Sequence, residues 1–160
     1  MIVAEPTPQQ AVDIVAITQL AVSYSEAICR GEIDEAVLVY ADDGVLASGT
    51  TEDAVGRAAI ATTIRRATKD LQFVFQTTHC GLVEVQGDTA WSRFPTTEWA
   101  KLPDGRALQF LGVYEDNLKR TPEGWRFTRR FLDGVTLGKV DSFARATTHR
   151  LRAPRTGGPT

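Results

Sequence analysis

The chain has 160 residues, 42% of them hydrophobic and 24% charged, with a formal net charge of −2 at pH 7. This suits one domain that can bury a core without metal or disulfide staples. The slight negative balance argues against nucleic acid as the main partner, because phosphate binding needs a concentrated basic surface. The two cysteines, Cys29 and Cys80, show no motif spacing and point to a reducing compartment. No run approaches the ~20 apolar residues of a membrane span, and the start has no basic region followed by an apolar run. A cytoplasmic enzyme or binding domain is the expectation.

The first helix is marked by Thr7-Pro8-Gln9-Gln10, a cap hydroxyl, a proline at the first helical position and a glutamine at the third. Ile14, Ile17, Ala21, Tyr24 and Ile28 follow at spacings of three and four, and Gly31 ends the run. Glu32 to Tyr40 reads as a second, short helix. Asp42-Asp43-Gly44 is turn chemistry, Val45 to Ser48 a short strand, and Gly49 to Gly56 a loop. A third helix is expected from about Arg57 to Thr68.

From Leu71 the pattern is all strand. Leu71–Gln86, Thr89–Lys101, Ala107–Arg120 and Trp125–Leu137 are separated by Gly87-Asp88, Pro103-Asp104-Gly105 and Pro122-Glu123-Gly124. Pro95 interrupts its run and marks a bulge or an edge. Helices followed by four long antiparallel strands give an α+β plan, one face of a twisted sheet covered by the helices and a conical pocket between. After Asp141 come Arg145, Arg150, Arg152 and Arg155 with no acid, so 1–140 is read as the domain and 141–160 as a basic, flexible tail.

His79, one of two histidines, is the first candidate for chemistry. Strict alternation across the first long strand places Phe73, Phe75, Thr77, His79, Gly81, Val83 and Val85 on one face, the more apolar one. An imidazole there must find a partner or lose its proton, which is how a pocket tunes a general base; the plainer alternative is a structural histidine bonded to a carbonyl. Glu98 shares parity with Ala90, Ser92, Phe94 and Thr96. Facing inward, it is an acid or base with a raised pKa; facing outward, it pairs with a cation. The pocket wall is expected from Leu46, Ser48, Ile64, Phe73, Phe75, Phe110, Tyr114 and Leu132, apolar and aromatic, fit for a ring system. No metal cluster, phosphate loop or dinucleotide fingerprint appears.

In this order and spacing, several segments carry a resemblance. They are Tyr24-Ser-Glu-Ala27, Tyr40-Ala-Asp-Asp-Gly-Val45, Gly56-Arg-Ala-Ala-Ile60, His79, Gly87-Asp-Thr-Ala90, Gly112-Val-Tyr-Glu-Asp116 and Gly124 through Arg130. From about Val12 to Val135 the chain resembles the SnoaL-like proteins of the nuclear transport factor 2-like superfamily. That resemblance implies a cone-shaped α+β barrel, a curved, mostly antiparallel sheet packed on N-terminal helices and frequently dimeric through the outer sheet face. Members include scytalone dehydratase, lindane dehydrochlorinase, steroid isomerases and polyketide cyclases, all cofactor-free, and also accessory subunits. Fold alone does not choose among them.

In the dehydratase and the dehydrochlorinase a strand histidine pairs with an aspartate near the end of the first helix. His79 matches the histidine, whereas Cys29 stands at the aspartate's position, with Glu26 and Glu32 nearby as substitutes outside the motif. A dehydratase's second histidine has no match; His149 lies in the tail. The resemblance gives Arg130 a cavity-lining role, polarising an anionic oxygen, with an inter-strand salt bridge as the alternative. Tyr24 either points its hydroxyl into the pocket or packs in the core. Cys29 at a helix C-terminus is a pocket-lining residue rather than a thiolate nucleophile.

The leading expectation is a cofactor-independent dehydratase, isomerase or cyclase acting by acid–base catalysis on a hydrophobic polycyclic or polyketide-like small molecule. It is expected to be a homodimer with no membrane partner. His79 would move the proton, with Tyr24, Arg130 and Glu98 as the other catalytic candidates. A non-catalytic binding or accessory subunit using the same pocket is the alternative, and an assembly subunit docking by its sheet face a third.

Overall fold

The computed structural model describes residues 5–140, so the expected tail at 141–160, with His149 and its arginines, lies outside the described residues. Helix α1 (Pro8–Arg30) begins as the sequence dictates. Thr7 Oγ1 accepts from the Gln10 amide at 3.3 Å, and Gln10 Oε1 accepts from the Thr7 amide at 2.9 Å. It ends where Gly31 turns left-handed at φ 75°, a conformation open to a residue without Cβ. The stripe Ile17, Ala21, Tyr24 and Ile28 is buried. By length and composition α1 could cross a membrane, contrary to the sequence expectation. Here that stripe packs on the sheet, and α1 carries a buried, ion-paired Asp13.

The expected second helix is two pieces, α2 (Ile33–Ala36) and a 3-10 turn (Val37–Val39). Strand β1 (Tyr40–Ser48) starts five residues earlier than expected and absorbs Asp42-Asp43-Gly44, whose turn-forming residues instead form an irregularity in pairing. A Cβ on Gly44 would stand 2.9 Å from the Phe127 carbonyl oxygen, so close backbone approach, not a turn, is what glycine serves there. Strand β2 (Thr51–Val55) fills the expected loop, and α3 (Arg57–Thr68) matches its expected bounds.

The strands β3 (Phe73–Thr78), β4 (Leu82–Gln86), β5 (Thr89–Lys101), β6 (Ala107–Thr121) and β7 (Gly124–Val140) complete one sheet. Its order is β2-β1-β7-β6-β5-β3, with β4 also on β5; only β1 and β7 run parallel. The curved sheet wraps α1 without closing on itself. This is the expected α+β architecture.

The expected single strand Leu71–Gln86 is broken. Thr78 pairs with Thr96 and Leu82 with Arg93, so His79, Cys80 and Gly81 stand against only Phe94 and Pro95. The extra residue is a bulge, and it inverts which parity faces α1. Before it Gln76 and Thr78 reach the helix; after it Val83 and Val85 do. Pro95 accepts from the His79 amide at 2.9 Å, so its missing N–H falls on the bulged side, where a ladder bond is already interrupted.

Candidate functional site

The bulge decides where His79 lies. It is exposed, on the outer face beyond the end of β3, its Nε2 2.8 Å from Thr97 Oγ1. The expected apolar pocket position is therefore corrected: alternation was carried through a segment that contains an odd residue. Phe73 and Phe75 go outward with it, 38% and 40% exposed, and do not wall the space under α1. Ser48 is half-buried at the end of β1, bonding Thr50 and Thr51. The structure does not bring these four together with the remaining candidates.

What meets α1 from β3 is Gln76. Its Oε1 accepts from Ser25 Oγ at 3.0 Å, and Ser25 Oγ lies 2.6 Å from Thr78 Oγ1. Its Nε2 donates to Glu98 Oε2 at 3.0 Å and reaches Tyr114 Oη at 3.4 Å. Cys29 joins through the same residue's backbone, accepting from Gln76 N at 3.1 Å and donating to its carbonyl at 3.3 Å. Burial pushes the Cys29 thiol up, which removes a thiolate from the chemistry. Where the resemblance implies a histidine–aspartate pair between strand and helix, this chain places a neutral contact.

Glu98 faces inward, as one of its two readings held. It is half-buried, opposite Gln76 on β3 and Phe110 on β6. Burial raises its pKa, and the Gln76 amide partly opposes that rise. Phe110 lies over Gly112 and Gly134: a Cβ on Gly112 would be 2.6 Å from the ring. These glycines let the ring lie flat on the sheet, beside the carboxyl.

Deeper in, Arg130 is 0% exposed. Its Nε donates to Asp116 Oδ1 at 2.9 Å and its Nη2 to Oδ2 at 3.3 Å, and Ser92 Oγ donates to Oδ2 at 3.1 Å. The guanidinium carbon sits 4.0 Å from the Tyr114 ring centre, 4.3 Å from Phe127 and 4.7 Å from Tyr24. A desolvated cation over such faces gains about 2 kcal/mol per good contact. The expected open, oxygen-binding Arg130 is thus corrected to a sealed cation in an inter-strand pair, the alternative reading. Its Nη1, like Tyr40 Oη, is buried without a hydrogen-bond partner among the described residues.

Tyr24 packs edge-on against Tyr40 and Tyr114, ring centres 6.1 and 5.9 Å away. Burial raises all three phenols. For Tyr24 the Arg130 charge and the neighbouring hydroxyls counter that burial, although Tyr40 Oη falls short of hydrogen-bond geometry. Leu46 and Leu132 are half-buried against this core, opposite Arg130 and Tyr114 in the pairing. The structure therefore gathers Tyr24, Cys29, Leu46, Glu98, Phe110, Tyr114, Arg130 and Leu132 between α1 and the concave sheet. Ile64 is buried in the common core. Sequence reading missed Ser25, Gln76, Tyr40 and Asp116. Asp116 had a signal, since it shares parity with Tyr114 on β6.

Among the described residues, no three His, Cys, Asp or Glu side chains are grouped to hold a metal ion. The sequence matches the SnoaL-like domain model over residues 9–131, most of the chain. The protein belongs to the SnoaL-like family. A comparison with curated proteins finds no match. Among solved structures, a provisionally named aromatic ring hydroxylase from Novosphingobium aromaticivorans is 26% identical, with a TM-score of 0.76 over 84% of this chain and 96% of that one. A provisionally named scytalone dehydratase from the same organism is 20% identical, TM-score 0.77, over 88% and 95%. A hexachlorocyclohexane dehydrochlorinase from Novosphingobium barchaimii is 12% identical, TM-score 0.78, over 86% and 97%. The last two likenesses establish shared fold alone.

Proposed function

We propose that this SnoaL-like protein is a cofactor-independent lyase or isomerase, of the dehydratase, isomerase or cyclase type, in which Glu98 moves a proton on a hydrophobic, ring-containing small molecule. The observation that carries this reading is Glu98 itself. It is a half-buried carboxyl on the concave face beside an aromatic ring, bonded among the described residues only by a neutral amide. Nothing there neutralises it, and burial moves its pKa toward working pH, the condition for a general base. Tyr24 and Tyr114 supply hydroxyls next to the buried Arg130 charge, which lowers the cost of negative charge on a substrate oxygen. Arg130 acts at a distance through these rings.

The substrate class follows from the lining. Phe110, Leu46 and Leu132 favour a fused-ring or polyketide-like skeleton with a carbonyl. Hydrogen–deuterium exchange at the α-carbons of 2-tetralone, followed by proton NMR in D2O, tests it. Exchange above the buffer rate is expected, falling by about 100-fold or more in Glu98→Gln and unchanged in His79→Ala. Equal rates in wild type and Glu98→Gln would overturn the assignment.

The neutral Ser25–Gln76 contact favours a second reading, a binding module that uses the same residues without chemistry. Saturable binding of 2-tetralone without any exchange would select it.

A further inference from the structure

The polar chain that ends on Glu98 has a fixed direction. Gln76 Nε2 faces a carboxylate oxygen, so the amide oxygen must face the other way; a flipped amide would set two acceptors against each other. Its oxygen then takes the one proton of Ser25 Oγ, and the 2.6 Å contact to Thr78 is filled by the Thr78 proton. Every donor points toward Glu98: Thr78 to Ser25, Ser25 to Gln76, Gln76 to Oε2.

We propose that Gln76 is a positioning residue that holds Glu98 Oε2 as a permanent acceptor, leaving Oε1 as the atom that exchanges the proton and Tyr114 as donor to the oxygen of a ketone substrate. This rests on the proposed proton-transfer function. The Gln76 amide also reaches Tyr114 Oη as donor, so the Tyr114 proton points away from Gln76, toward the Tyr24 hydroxyl, from which a substrate oxygen would take it over. In the step implied, the substrate C–H bond breaks and its proton passes to Oε1. The C–H electron pair forms the enol double bond, and the carbonyl π pair moves to the oxygen held by Tyr114. In a β,γ-unsaturated ketone the oxygen pair then re-forms the carbonyl, the enolate pair shifts to the α,β position, and the original alkene pair takes the proton back from Oε1 at the γ-carbon, which completes an isomerisation with no other reactant.

The groups facing Glu98 are few. From β3 comes Gln76, from β6 Phe110 and Tyr114, and from α1 the influence of Tyr24 and Cys29; the buried cation, Arg130, is bonded to Asp116. Burial is the larger influence on the proton affinity of the carboxyl, and the Gln76 amide is the hydrogen bond that opposes it. The β3-to-α1 contact through Cys29 uses the Gln76 main chain, so it survives side-chain substitution.

The experiment is a carbon-13 NMR titration of the full chain labelled at glutamate Cδ, with the Glu98 signal assigned by its loss in Glu98→Gln. Gln76→Met should raise the Glu98 midpoint by about one pH unit, the effect of removing a hydrogen bond to the charged form. Ser25→Ala, which frees the amide to turn, should raise it by less. Thr97→Val on the outer face should leave it in place. An unchanged midpoint in folded Gln76→Met overturns the proposal. Ser25→Ala decides alone if that variant does not fold, a midpoint equal to wild type counting against it.

Tetralone exchange, measured above both midpoints, separates the two claims. A lower kcat with unchanged KM in Gln76→Met supports the positioning role. A shifted midpoint without exchange in wild type would leave the amide–carboxyl coupling standing but remove the reaction, and with it the role of Oε1.

Discussion

Glu98 is held in a setting that costs stability. Burial disfavours its charged form, so its folded pKa lies above the unfolded carboxyl value of about 4.3. A carboxyl raised on folding binds its proton more tightly in the native state. The native state is therefore favoured below the unfolded value, and that advantage is lost as pH rises through the folded one. Above the folded value the protein carries the whole penalty. Glu98→Gln should accordingly raise the melting temperature at pH 8, since the new amide can still accept from Gln76 Nε2, and the gain should vanish near pH 4. Thermal unfolding of both proteins across that range checks the sign. A variant less stable at pH 8 would mean that Glu98 is a structural residue, against the trade of stability for activity expected at a working carboxyl.

At the scale of elements, three residues between β3 and β4 control the most consequential geometry. Gly81 is the tightest point: a Cβ there would overlap the Arg93 carbonyl oxygen and the Phe94 ring. One partner is backbone and the other a buried core ring, so neither yields easily. Gly81→Ala should cost about 1–3 kcal/mol in urea unfolding, and a loss below about 0.5 kcal/mol would show that the bulge absorbs the methyl group. This bulge also marks the boundary of what the sequence made legible. The cap of α1, its left-handed end, α3 and the long strands β5, β6 and β7 were readable because local chemistry and periodicity agree there. For Glu98 the sequence left inward and outward both open, and for Pro95 a bulge or an edge, because parity alone does not say which face of β5 meets the helix. His79 was not readable, because a one-residue slip leaves each half of Phe73–Val85 alternating normally while exchanging the faces. Gln76 was overlooked because an amide on a strand carries no signal until its partners, 51 residues upstream and 22 downstream, are known. The resemblance pointed to the right pair of elements, and the structure places different residues on them.

For the whole molecule, the balance with pH is set at the opposite end of α1 from the candidate site. Asp13, buried on the first turns of the helix, accepts from Arg120 Nη1 and Nη2 at 2.9 and 2.8 Å and from Trp125 Nε1 at 3.1 Å. Arg120 lies 4.5 Å over the Trp125 ring and also bonds Asp88 at the β4–β5 turn. One carboxylate thus ties the helix to two hairpins. The bonds from Arg120, against the opposing effect of burial, hold its pKa below the usual range. A depressed carboxyl contributes stability that is present above its unfolded value of about 3.9 and is lost as pH falls through the folded one. Its sign is opposite to that of Glu98, so Asp13 contributes loss of stability on the acid side and Glu98 a loss as pH rises. Asp13→Asn keeps the shape but gives Arg120 an amide in place of two charged acceptors. It should lower the melting temperature by several degrees at pH 7, and the gap to wild type should close as both are taken below pH 4. A constant gap across that range would assign the loss to packing of the new side chain rather than to the charge. Because α1 supplies Tyr24, Ser25 and Cys29 to the site, the same variant should also broaden the Glu98 resonance if the clamp is what keeps the helix in register against β3.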